Sequence, residues 1–287
     1  MSKLQVPDGL ETFQPEIFAG KVLFCTGGRS GIGYRIVEMM MKHGADAVIV
    51  GRDAKGVEES AAKLEASTGR NCLGAPADVR DPEQLKRAVQ AAKDKYGKLD
   101  FVVCGAAGNF LAPISGLSER AFRTVIEIDL IGTYNTVKAT LPLLRETRGA
   151  YVHISATLHY RGTPWQTHLG AAKAGIDALS NALAVEEGPR GVRSNVVAPG
   201  PIGSTPGMTR LNPGGQPLEN LIPLGRVGQT TDIANAVMFL FSPAASWING
   251  SVMVVDGGDA HTRAPYVPYP EAMFNPKMMT DVLKGKL

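Results

Sequence analysis

The chain has 287 residues, and 33 of them are glycine, about 11 per cent where average usage is about 7 per cent. With 44% hydrophobic and 20% charged residues it can bury a large core, which excludes an intrinsically disordered chain. A net charge of +3 without a long Lys/Arg run excludes a nucleic-acid partner as the leading reading. The glycines keep no G-X-Y period, no apolar run is long enough to span a membrane, and no secretory signal is expected at the N-terminus. The glycine excess therefore belongs in turns and in close approaches of the backbone. Cys25, Cys72 and Cys104 are an odd count without a CxxC pair, so they read as buried free thiols in a reducing compartment, with no metal site.

Residues 1–20 carry Pro7, Gly9 and Pro15 and read as an irregular N-terminal extension. Residues 21–26 (KVLFCT) are strand-like, and apolar residues at helical spacing follow over 32–43. Residues 47–51 (AVIVG) predict a strand, 55–67 a charged helix and 71–78 a third strand. Residues 82–96 predict an amphipathic helix with Pro82 at its start and Leu85, Val89 and Ala92 on one face. Residues 101–104 predict a fourth strand, 118–145 a helix and 150–155 a fifth strand. A helix at 170–187, a strand at 193–197, a helix at 232–241 and a strand at 252–256 complete the alternation.

Seven short apolar strands separated by helices predict an α/β fold, a doubly wound Rossmann-type parallel sheet with helices on both faces. Length alone allows about two domains. No linker interrupts the rhythm, so one domain over 21–258 is expected, followed by a tail at 259–287 with Pro265, Pro268, Pro270 and Pro276. Residues 199–229 are rich in Gly and Pro without a period and read as a substrate loop or lid.

Thr26-Gly27-Gly28-Arg29-Ser30-Gly31-Ile32-Gly33 follows the first strand and opens a helix. Glycines there let the backbone approach a pyrophosphate, and the helix N-terminus favours its charge. The second strand ends in Gly51-Arg52-Asp53. Arg52, with Arg29 in the turn, suits a ribose 2′-phosphate through charge-assisted bonds, which points to NADPH over NADH. The other reading has Asp53 on the ribose hydroxyl and Arg52 in solvent.

With these motifs in order, the chain resembles the short-chain dehydrogenase/reductase family over about 20–258. Further matches are Asp78-Val79 for the adenine, and Cys104-Gly105-Ala106-Ala107-Gly108 after the fourth strand. Ser155, Lys173, Asn195, Pro199-Gly200 and Asp256-Gly257-Gly258 follow. The resemblance implies cofactor contacts at Thr26, Gly28, Arg29, Ser30, Gly31, Ile32, Gly33, Arg52, Asp53, Asp78, Val79, Ala106, Gly108, Lys173, Pro199, Gly200 and Ile202. The departures are informative. The family's tyrosine four residues before the lysine is Leu169 here, and its usual asparagine is Asp129. Leucine cannot transfer a proton, so ordinary ketone reduction is not expected.

The 2,4-dienoyl-CoA reductases, especially the peroxisomal type, are a subgroup similar in these departures. The similarity lies in Ala106 to Phe110, Ile128-Asp129, Gly170 to Ala174 and Ala198 to Ile202. It implies NADPH-dependent reduction of an acyl-CoA thioester, with Asp129, Lys173 and Ser155 as catalytic residues and Asp129 orienting a water. Asn109, Phe110, Arg80 and Arg210 are the implied substrate contacts. The Gly285-Lys286-Leu287 ending resembles a peroxisomal address, read by an import receptor. A homotetramer is the family expectation. The alternatives are a carbonyl or acyl-thioester reductase using Tyr160, and a silent NADPH-binding protein. His168, between Trp165 and Leu169, reads as a packed residue rather than an acid.

Overall fold

In the computed structural model the strands β1 (Val22–Thr26), β2 (Asp46–Gly51), β3 (Cys72–Pro76), β4 (Phe101–Cys104), β5 (Ala150–Ile154), β6 (Arg193–Pro199) and β7 (Val252–Val255) are all parallel, and their order, β3-β2-β1-β4-β5-β6-β7, reverses between β1 and β4. The structure describes residues 12–212, 215, 217–262, 270–275, 277–278 and 281. The Gly285-Lys286-Leu287 ending, Pro265, Pro268 and Pro276 lie outside the described residues. β1 (Val22–Thr26), β2 (Asp46–Gly51), β4 (Phe101–Cys104) and β5 (Ala150–Ile154) are buried almost throughout. That burial on both faces is why they read as apolar runs rather than as alternating patterns. α1 (Gly31–Lys42) and α9 (Thr230–Phe241) pack together on one face, with Met39, Met40 and Met41 fully buried. α3 (Pro82–Tyr96) and α5 (Gly132–Thr147) cover the other, with Val137 of α5 in the cluster that includes Val102 and Tyr151 of the sheet. Cys25, Cys72 and Cys104 are all buried free thiols, and burial pushes the Cys72 thiol up to about 12.

Three departures from the sequence expectation have physical reasons. β3 (Cys72–Pro76) stops before Asp78, because the chain turns there through Asp81 N to Asp78 O. α7 (Thr167–Glu187) starts earlier than expected, with Gly170 N bonded to Gln166 O. The helix expected over 118–145 is α4 (Glu119–Ile126), a π-helical turn (Glu127–Ile131) and α5. A π turn adds a residue to the helical repeat and re-aims the side chains that follow it. β6 (Arg193–Pro199) and β7 (Val252–Val255) close the sheet, while α2 (Ala54–Thr68) and α6 (Leu158–Arg161) complete the helices used below.

His153 on β5 is fully buried, stacked on Tyr151 and bonded to Ser194 Oγ at 3.1 Å. Burial pushes its imidazole from 6.5 down to about 4. The unfolded chain binds this proton more readily, so the stabilisation is whole above about pH 6.5 and lost as pH falls toward 4. Urea unfolding should show a loss of about 2 kcal/mol between pH 7 and pH 5 that His153→Gln lacks. Equal losses in both proteins would contradict this assignment.

Candidate active site

The glycine turn between β1 and α1 is built by close backbone approach. Gly27 has φ +73°, and a Cβ on it would stand 2.6 Å from Gly105 O. A Cβ on Gly33 would collide with the Gly27 carbonyl. Thr26 is buried and pins the neighbouring strand exit, accepting from Gly105 N at 3.2 Å and Ala106 N at 3.4 Å. Ser30 caps α1 without a side-chain bond, and the first turn carries no acid. The helix end thus presents its backbone N–H groups, uncontested by side-chain acceptors, to an anion. With Arg29 and Arg52 beside it on the cleft wall, this cradle fits a dinucleotide phosphate.

Arg29 is held in place by α2. It pairs with Asp53 at 3.2 Å, and its carbonyl accepts from Ser60 Oγ. Asp53 itself caps α2 through Gly56 N and does not line the cleft. Asp78 is also engaged elsewhere: both its oxygens are forked by Arg80, at 2.6 Å for the shortest contact, which holds the Asp78 carboxyl below its ordinary range. Val79 packs on Gly132 and its carbonyl accepts from Asn135. Arg80 therefore sits with Asp78, outside the cleft lining.

The π turn delivers Asp129 to the centre of the fold, fully buried. Its Oδ1 accepts from Gly108 N at 2.7 Å, and Thr133 Oγ1 donates to its carbonyl. Its Oδ2 lies 3.1 Å from Lys173 Nζ, an ion pair without hydrogen-bond alignment. Lys173 Nζ donates instead to Ile154 O at 3.0 Å. Lys173 lines the cleft, and Asp129 stands behind it, paired with the lysine.

The cleft has a volume of about 440 Å³. It brings together Gly31, Ile32, Gly33, Arg52, Asn109, Ser155, Lys173, Pro199, Gly200, Ile202 and Arg210. Leu169, at the position of the family tyrosine, lines it as well. The stretch 199–229, expected as an irregular loop or lid, carries a short helix, α8 (Pro206–Leu211), capped by Thr205, with Pro206 against Gly31 and the exposed Arg210 near its end. Ser155 is buried, with its hydroxyl 3.5 Å from Lys173 O. Phe110 does not line the cleft. It stacks on His168 at 4.3 Å, and its carbonyl meets His168 Nε2 at 3.1 Å. Burial lowers the His168 pKa, against smaller opposing effects of the Phe110 carbonyl and Asp129. It is a packed residue, as its neighbours in sequence suggested. Tyr160 does not line the cleft either. Its hydroxyl donates to Asp177 Oδ2 at 3.3 Å, and burial followed by Asp177 raises it to about 12. Sequence reasoning missed Thr157, Trp165 and Gln166 on the wall, which belong to no motif.

A parallel sheet with this glycine turn, strand-exit turn and lysine defines a dinucleotide-dependent reductase. Residues 27–259 match the family described as enoyl-(acyl carrier protein) reductase, and the chain belongs to the short-chain dehydrogenases/reductases, which use a nicotinamide cofactor. The peroxisomal 2,4-dienoyl-CoA reductase of Saccharomyces cerevisiae is 46% identical over 279 residues, covering 95% of each chain. That of Danio rerio is 48% identical, covering 88% of this chain and 85% of its own. Levodione reductase, a solved structure, superposes with a TM-score of 0.80 at 30% identity, over 85% of this chain and 99% of its own.

Removing one partner of a buried pair strands the other charge. Asp129→Ala should destabilise the protein by about 3–5 kcal/mol in urea unfolding. The double variant Asp129→Leu/Lys173→Met should recover most of that loss while remaining inactive. A single variant as stable as the parent would contradict the pairing.

Proposed function

We propose that this chain reduces 2,4-dienoyl-CoA thioesters to 3-enoyl-CoA with NADPH, an auxiliary step in β-oxidation of unsaturated fatty acids. The observation that carries the reading is Leu169 on the cleft wall, where a proton-donating tyrosine would stand, beside the intact Lys173–Asp129 pair. The relatives' names support the same activity and a peroxisomal location. Exposed Ile131 and Tyr134 beside and on α5, and Val185 on α7, support a homo-oligomer, read here as a tetramer.

A ketone reductase must protonate an alkoxide at the carbon that accepts hydride, and leucine cannot do so. A conjugated thioester has no such need. NADPH, when bound, would supply a hydride; with the hydride at the far end of the diene, charge would pass along the conjugated system to the thioester oxygen. Lys173 places its positive charge at the cleft wall, where it favours that shift. Asp129 keeps the lysine aimed from behind. Ser155, Thr157 and Asn109 bring polar side chains to the same wall, and a water among them delivers the proton beside the thioester. Leu158 and Leu169 shield the diene from solvent. Arg29 and Arg52 hold the 2′-phosphate, and Arg210 meets the phosphates of CoA.

Purified protein should oxidise NADPH with 2,4-hexadienoyl-CoA and leave ketoacyl-CoA untouched. NADH should serve poorly, and Arg52→Ala should raise the KM for NADPH roughly tenfold while sparing NADH. Tyr160→Phe should keep the parent rate. Turnover of ketoacyl-CoA alone, abolished by Tyr160→Phe, would overturn the reading.

A further inference from the structure

Gln166 is 5% exposed and lines the cleft, yet its Oε1 is buried without a hydrogen-bond partner among the described residues. Buried side-chain acceptors are nearly always paired, so an orphan on a ligand cleft needs an explanation. The residue is not there by accident of a loose loop. Trp165, immediately before it, is 5% exposed and sits at φ +63°, a left-handed conformation that a bulky side chain rarely adopts. The Trp165 carbonyl is pinned by Ala112 N at 3.0 Å, and Gln166 N bonds to Thr163 O. Strain of this kind persists only where surroundings enforce it, and it gathers at ligand sites. Its effect here is to set Gln166 at the mouth of α7. Gln166, Leu169 and Lys173 then follow at helical spacing along one cleft-facing stripe.

An unpaired carbonyl oxygen calls for a donor. On the proposed substrate, the diene and the thioester carbonyl offer none. The first N–H beyond the reacting end belongs to the pantetheine amide, a short ethylene spacer past the sulfur. We propose that Gln166 Oε1 accepts this amide N–H, and so selects thioesters carrying an amide-bearing arm over simple alkyl thioesters. The inference rests on the thioester reading given above. It makes Gln166 a specificity residue that works through binding, separate from the Lys173–Asp129 pair further along the helix.

The test compares 2,4-hexadienoyl N-acetylcysteamine thioester, which keeps the amide N–H, with the S-butyl thioester, which lacks it. Gln166→Met should raise the KM for the first roughly tenfold with kcat little changed. On the S-butyl thioester the variant and the parent should behave alike, and NADPH affinity, followed by cofactor fluorescence, should be unchanged. Equal loss on both thioesters, no loss on either, or a loss confined to NADPH would overturn the inference. The last result would assign Gln166 to the nicotinamide carboxamide instead. If the parent reduces neither thioester, titration of hexanoyl N-acetylcysteamine thioester separates the two claims. Weaker binding by Gln166→Met keeps the inference, equal or absent binding overturns it, and the dienoyl reading stands or falls separately on turnover of 2,4-hexadienoyl-CoA.

Discussion

A carboxylate and an ammonium buried together, 3.1 Å apart, tie the two halves of this site to each other. Asp129 comes from the π turn between α4 and α5, and Lys173 from the N-terminal half of α7. Neither charge could remain there alone, because desolvation would cost more than the fold can spare. Gly108 N, bonded to the other oxygen of Asp129, brings the strand exit after β4 into the same network. Ile154 O, at the end of β5, completes the hold on Lys173. One ion pair therefore fixes where the lysine stands relative to the sheet edge, and the cleft is assembled around it.

The same network explains how a reductase works without the tyrosine. Leu169 occupies that place and contributes only surface; on the proposed reading the helix offers substrate the positive charge of Lys173 and not a proton. A conjugated thioester suits such a site, since its charge develops at an oxygen remote from hydride attack. The cofactor side is built separately, from backbone: Gly27 and Gly33 close the turn, Ser30 leaves the helix end open, and α2 holds Arg29 outward. Phosphate recognition and reaction chemistry thus draw on different elements that meet at the topological reversal between β1 and β4.

What the sequence discloses follows from how local each signal is. The buried parallel strands show themselves as apolar runs, and the glycine turn, Lys173 and Leu169 stand in ordered motifs, so the fold, the cofactor cradle and the missing acid are legible. The π turn is not, because one added residue barely disturbs apolar spacing over 118–145. Nor is the employment of Phe110 by His168, partners separated by 58 residues. Arg80 and Asp78 are close enough in sequence to pair, but only coordinates show their fork outside the cleft. Gln166 carries no motif at all. Its interest comes from burial, an unpaired oxygen and the strained tryptophan before it.

The central claim is that hydride goes to the far end of a conjugated thioester and the proton to the carbon next to the carbonyl, with no side-chain acid at the point of attack. NMR of the product formed from 2,4-hexadienoyl-CoA and NADPH deuterated at its transferable hydrogen tests this directly. Deuterium should appear on the δ carbon, with a solvent-derived proton on the α carbon and the remaining double bond between β and γ. Deuterium on the β carbon, or a product that keeps its double bond between α and β, would contradict it.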